Sequence, residues 1–289
     1  MAWLVFKIDW KEVLFYTQKI SLGQIVLYVG VLLVGMMISA WKWKILAEFK
    51  SFNLSLAKSF QLYLAGTFIN NFMPSFIGGD TYRAYQIGKE EKKYSSAAAS
   101  VVMDRITGLL GAMILSVIFA VLNWRVVVIH SVLLLIIGIV VLCLIGVLSM
   151  KVVVKFSLWK KIAGFLPKKL LEVVKDFMQY QGSAALGKSV VIAILFSLVG
   201  LAGVNGILFW ALGIKLGILN YLTVIFLISI ISALPVSINN IGIKEWAYVT
   251  FFGFFGVSAS AVVTVALVSR ILQMIVSFTA LPAYLKSRD

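Results

Sequence analysis

The chain has 289 residues, 62% of them hydrophobic and 13% charged, with a formal net charge of +15. A soluble domain averages about 45–50% apolar and about 25% charged residues, so a soluble globular enzyme is excluded. The apolar excess lies in long, non-alternating, uncharged runs, which excludes a membrane β-barrel and leaves a polytopic α-helical membrane protein.

Met1–Lys19 carries Lys7, Asp9, Lys11 and Glu12, so it lacks the charge-free core of a cleaved signal peptide. The first clear span is Ile20–Ala40, closed by Trp41-Lys42-Trp43-Lys44, which reads as an aromatic and basic anchor at the membrane interface. Ser59–Ile77 is apolar but interrupted by Gly66, Asn70, Asn71 and Pro74, and a charged loop, Asp80–Tyr94, follows. Spans at Ala97–Asn123 and Val126–Met150 are joined by the short turn at Trp124. Lys151–Lys188 is the largest polar region, strongly basic, with an amphipathic helix expected over Leu170–Met178. Ser189–Ile214 is another span. Leu219–Gly256 is apolar but broken by Pro235, Asn239, Asn240, Gly242, Lys244 and Glu245, and Ser260–Leu285 closes the chain before Lys286-Ser287-Arg288.

The basic loops set the expected orientation, with segment 151–188 and the C-terminus cytoplasmic in a cell (inner) membrane. They account for the positive charge without nucleic acid as a partner. Both ends of Ser59–Ile77 then lie on the cytoplasmic side, and both ends of Leu219–Gly256 lie outside. Each broken segment is therefore expected to be a re-entrant hairpin. The expected fold is an all-α membrane bundle of about six full spans and two inverted repeats, each with one such hairpin. It forms a single unit over residues 1–289, with halves at about 20–123 and 189–286 joined by helix 126–150 and the basic segment 151–188.

Two polar clusters repeat one spacing. The first holds Asn71, Pro74, Gly78, Gly79, Asp80 and Arg83, followed by Asp104-Arg105; the second holds Pro235, Ser237, Asn239, Asn240, Gly242, Lys244 and Glu245, followed by Ser269-Arg270. Asp80 to Arg105 and Glu245 to Arg270 are each 25 residues apart. An ionised group inside a span costs about 2.5–3.5 kcal/mol on insertion scales and persists when it pairs or lines a wet cavity. Asp80 or Asp104 is thus expected to neutralise Arg105, and Glu245 to neutralise Arg270. Two roles are open for these pairs. They lock the hairpins to their neighbours, or an arginine fork meets a lipid phosphate, a ligand that guanidinium binds bidentately. Asn70-Asn71 and Asn239-Asn240 read as caps of broken helices. A lone His130 and a lone Cys143 make no metal set. There is no GxxxxGK[ST] phosphate loop, so no cofactor and no ATP hydrolysis are expected in the chain.

The pattern N-x-x-P-x-x-x-G-G-D-x-x-R with a following acid–Arg pair, and a second motif around Pro235–Glu245, resembles the lysylphosphatidylglycerol synthase transmembrane region, or flippase-like domain. Four positions depart from its pattern: Asn239-Asn240 stand where Gly-Gly is usual, Lys244 replaces Arg, and Asp104 replaces Glu. The stretch Trp3–Trp10 resembles the end of a leading helix that many relatives have in full. The resemblance implies movement of a phospholipid or lipid-linked molecule between leaflets. Asn71, Asp80, Arg83, Asp104, Arg105, Ser237, Asn239, Asn240, Lys244, Glu245 and Arg270 are the candidate substrate-binding residues. In that expectation Arg105 and Arg270 hold the phosphate of a membrane lipid, and Asp80 and Glu245 hold the arginines. The synthase activity is not expected, because the chain ends directly after the last span. Two alternatives are a headgroup enzyme using Asp80 or Glu245 as a base, and a scaffold for a separate synthase or glycosyltransferase docked on Lys151–Lys188.

Overall fold

A computed structural model describes residues 8–73, 77–148, 168–233 and 240–282, and every regular element among them is helical. In chain order these are α1 (Trp10–Gln18), α2 (Leu22–Phe49), α3 (Leu56–Asn70), α4 (Ile77–Glu91), α5 (Tyr94–Leu122), α6 (Trp124–Ile129), α7 (Ser131–Leu148) and α8 (Lys168–Met178). Then come α9 (Ala184–Phe196), a π-helical segment (Ser197–Gly203), α10 (Val204–Ala211), α11 (Ile218–Ser232), α12 (Ile243–Gly253) and α13 (Ala259–Phe278). Serines set many of the starts. Ser21 and Gln24 exchange hydrogen bonds with each other's backbone at the head of α2, and Ser55, Ser183 and Ser258 accept from the first turns of α3, α9 and α13. Each satisfies an amide that the helix leaves unpaired.

Among the described residues, four helices are long and apolar enough to cross a membrane: Leu22–Phe49, Tyr94–Leu122, Ala184–Ala211 and Ala259–Phe278. That is fewer than the six or so spans expected. The run Val126–Met150 is not one helix, because it breaks at His130, whose backbone is extended. Four consecutive β-branched residues precede the break and weaken the helix locally. The His130 ring leaves the helix axis to stack on Phe254, with centroids 4.8 Å apart. The first span also differs from expectation. It runs on through Trp41-Lys42-Trp43-Lys44 to Phe49, so Lys42 and Trp43 are buried inside the bundle rather than placed at an interface.

The centre is a continuous apolar core. Tyr28, Leu32 and Met36 of α2 meet Leu208 and Phe209 of α10, Val224 to Ile228 of α11, Phe251 and Phe252 of α12, and Val262, Val265 and Ala266 of α13. Lipid tails give little hydrophobic drive between spans, so close backbone approach matters there. Helix α2 crosses the π-helical segment at Gly35 and Gly200, where a Cβ on Gly35 would stand 2.7 Å from the Gly200 Cα.

Two pairs of short helices flank α5. Helices α3 and α4 have 15 residues each, about 22 Å of helix against the roughly 30 Å hydrocarbon core. Helix α4 meets the start of α5: Gly88 lies against Tyr94 and Ala97, and Arg83 reaches Asp104 further along. Helix α11 meets the other end of α5. Asn123 donates to Asn220 and Thr223, and Phe119 stacks on Phe226. Helix α4 therefore lies against the first part of α5 and helix α11 against its last part. Helix α8, the expected amphipathic segment, is present. Asp176 on α8 accepts from Ser95, Ser96 and Lys50, and Tyr180 just beyond it donates to the Leu46 carbonyl at 2.7 Å. Part of the basic segment is thus packed on the chain's own α2 and α5.

Candidate functional site: two cationic clusters

The first cluster joins α2, α3, α4 and α5. Asp80, in the first turn of α4, holds Arg105 of α5 through two bonds of 2.6 and 2.8 Å. The same carboxylate accepts from Arg83 at 2.8 Å. Arg83 also meets Asp104 at 3.2 Å, and Asp104 pairs with Lys42 at 3.2 Å while its carbonyl accepts from the same ammonium at 2.7 Å. Tyr63 donates to Asp104 at 3.1 Å. The Arg83 guanidinium lies against the rings of Trp43 and Tyr63, 4.7 and 4.3 Å from their centroids, contacts worth roughly 0.5–2 kcal/mol each. Three cations face two carboxylates, so the cluster carries one net positive charge.

Lys42, Arg83 and Asp104 are almost completely buried, at 3%, 2% and 1% side-chain exposure, whereas Arg105 is 41% exposed. The interior of the cluster is thus closed off, and Arg105 is its outward member. Close packing of α3 on α4 makes this possible. A Cβ on Gly79 would fall 2.1 Å from the Gly66 carbonyl oxygen, so only glycine fits. The Gly79 amide is satisfied by the Asn70 side chain at 2.8 Å, the capping role expected of that asparagine. Asn71 instead donates to Ser277 of α13 at 2.7 Å, tying the end of α3 to the last helix.

The second cluster joins α12 and α13. Glu245 in the first turn of α12 pairs with Arg270 at 2.8 Å and accepts from the Gly242 amide at 2.7 Å. Arg270 also reaches the Asn240 carbonyl at 3.4 Å. Asn240 and Gly242 both adopt positive φ, 56° and 89°, so the chain turns sharply as it enters α12. Lys244 donates to Ser269 at 3.2 Å and lies 5.7 Å from the Tyr248 ring. Ser269 further accepts from Gln273 at 3.0 Å and Tyr28 at 3.1 Å. Two cations face one carboxylate, again one net positive charge.

The equal spacing in the sequence thus becomes equal geometry. In each half, an acid in the first turn of a short helix holds the arginine 25 residues later. The residue before that arginine accepts from a basic residue of the same short helix: Asp104 from Arg83, and Ser269 from Lys244. Pro74, Pro235, Ser237 and Asn239 lie outside the described residues. Sequence reasoning missed Lys42, Trp43 and Tyr63. The signal for the first two was the helical period of the buried face, Tyr28, Leu32, Met36, Ser39 and Ala40, which continues through Lys42 and Trp43 to Leu46 and Ala47.

Helix α2 serves both clusters, carrying Tyr28 to the second and Lys42 to the first. These residues are 14 apart in the sequence, about 21 Å along the axis at 1.5 Å per residue. A family model for the lysylphosphatidylglycerol synthase TM region matches residues 1–280. The chain belongs to this family. No curated protein and no solved structure gave a match. A member of the lysylphosphatidylglycerol synthase TM region family with four helices fit to cross a bilayer is a multi-pass membrane protein with a lipid-related role.

Proposed function

We propose that this member of the lysylphosphatidylglycerol synthase TM region family moves a phosphate-bearing lipid, or a lipid-linked molecule, between bilayer leaflets without hydrolysing ATP. The reading rests on one observation above the others: two clusters, each with one more cation than carboxylate, separated along α2, with α4 against one part of α5 and α11 against the other. In this reading the α3–α4 and α11–α12 pairs are re-entrant hairpins of two inverted repeats, one from each leaflet. Segment 151–188 and the C-terminus face the cytoplasm of a cell whose inner membrane holds the protein. A headgroup passes from one cluster to the other while its tails remain in lipid.

Each cluster suits an anion because its own carboxylates leave a positive charge over. The energetic logic is that of a carrier: the headgroup phosphate loses water on leaving the interface, and fixed cations replace part of that solvation. A headgroup-modifying enzyme would need Asp80 or Glu245 as a base. Both carboxylates are held by guanidinium groups, so we favour transport. Proteoliposomes carrying labelled phosphatidylglycerol in both leaflets test it, with dithionite quenching of the outer label as the readout. The expected result is quenching of the inner pool faster than in protein-free vesicles. No acceleration for any native lipid class would overturn the reading.

A further inference from the structure

The geometry points to Lys244 as the anion contact of the second cluster, with a lipid carrying a singly charged phosphodiester as its ligand. The inference deepens the transport reading and rests on it.

A single charge count separates Lys244 from the other cations. In the first cluster every cation reaches a carboxylate: Lys42 meets Asp104, Arg83 meets Asp80 and Asp104, and Arg105 meets Asp80. In the second, Arg270 is engaged by Glu245. Lys244, partly buried, has no carboxylate oxygen within ion-pair distance among the described residues, and its described hydrogen-bond partner is the neutral hydroxyl of Ser269 at 3.2 Å. That hydroxyl already takes hydrogen bonds from Tyr28 and Gln273. An ammonium carries three donors, and one withdrawn from water without a counter-charge is costly unless an anion completes it.

Both clusters hold one cation more than carboxylates, but only in the second, among the described residues, is a cation left with no carboxylate of its own, and one residue accounts for that. Asp104 stands before the arginine of the first half and neutralises the basic residue opposite; Ser269 stands at the matching place in the second half and does not. The surplus is one charge, which matches a phosphodiester monoanion. A zwitterionic headgroup would bring an ammonium toward Arg270 and Lys244.

Native mass spectrometry of the whole purified chain tests this with three probes: dihexanoyl phosphatidylglycerol, dihexanoyl phosphatidylcholine and the tail-free diester glycerophosphoglycerol. Wild type is expected to prefer phosphatidylglycerol over phosphatidylcholine by at least tenfold and to bind the tail-free diester at least tenfold more weakly. Lys244→Gln should abolish the headgroup preference, and Lys244→Arg should keep it. Ser269→Asp, which copies the arrangement at Asp104 and supplies an internal counter-charge, should abolish it while the thermal midpoint without lipid stays at or above that of wild type.

A wild type with no headgroup preference, or a Lys244→Gln variant that keeps it, overturns the inference. Equal binding of the tail-free diester overturns its lipid part. The broader reading fails separately, in the proteoliposome assay. Translocation with the preference intact in Lys244→Gln leaves transport standing and removes Lys244, whereas wild-type selectivity without translocation leaves a lipid-binding site and removes transport.

Discussion

Asp104 illustrates how unequally the ion pairs of this chain matter. Its carboxylate neutralises two cations that are themselves buried, and it is reached by a tyrosine hydroxyl besides. Removing one partner of a buried pair leaves the others uncompensated and costs about 3–5 kcal/mol. Asp104→Ala is therefore expected to lower the thermal midpoint sharply in detergent, or to abolish recovery of folded protein, both readable by fluorescence-detected chromatography. Lys58 and Glu90 also pair closely, but both are exposed, and Lys58→Ala is expected to shift stability by no more than about 1 kcal/mol. Residue-scale legibility follows the same division. Because an arginine in an apolar helix must find an acid, the sequence pointed to Glu245 for Arg270 and left Asp80 or Asp104 open for Arg105, which the structure gives to Asp80. Lys42 stayed hidden because Trp-Lys-Trp-Lys after an apolar run has the composition of an interface anchor, and only its place on the buried stripe of a longer helix distinguishes it.

At the scale of elements, the clearest constraint is the contact between α3 and α4. Gly79→Ala would drive a methyl into the Gly66 backbone, which cannot move aside as a flexible side chain can. Overpacking of this kind costs about 1–3 kcal/mol or more, and a lower thermal midpoint together with slower lipid movement is the expected outcome. Gly138→Ala on α7, where an added Cβ meets nothing within 4 Å, should leave the midpoint unchanged or raise it slightly, since alanine is the better helix former by about 1 kcal/mol.

Helix α8 makes a separate prediction. Burial pushes the Asp176 carboxyl up, but bonds from Ser95, Lys50 and Ser96 outweigh it and hold the group below the usual carboxylate range. A carboxylate depressed in the folded state contributes its stability above its unfolded value, near 3.9, and loses it as pH falls through the lower folded value. Spin labels on α8 and α2 should therefore report a constant distance from pH 7 to about 4 and a broadening one below. Asp176→Asn should broaden it already at neutral pH. The elements themselves were legible as apolar runs and caps. The break at His130 was not: the β-branched run before it only weakens the helix, and the ring's stacking on Phe254 joins residues more than a hundred apart in the sequence.

At the scale of the whole molecule, the two acid–arginine clusters were legible because their spacing repeats in the sequence. How the clusters are joined was not, since nothing in Ile20–Ala40 marks that span as the one touching both. Helix α2 donates from Lys42 to one and from Tyr28 to the other, and in the proposed carrier it is a connecting rod whose ends are fastened to separate ligand seats. A slide or tilt of that rod cannot relax one fastening without loading the other. Thermodynamic reciprocity then applies: whatever factor an occupant of one seat imposes on affinity at the other is returned unchanged in the opposite direction. Tyr28→Phe, which removes the hydroxyl fastening and leaves every charge in place, is expected to shrink that factor, measurable as loss of cooperativity in lipid titrations. In the proposed carrier, timing would be written into one helix rather than into either seat.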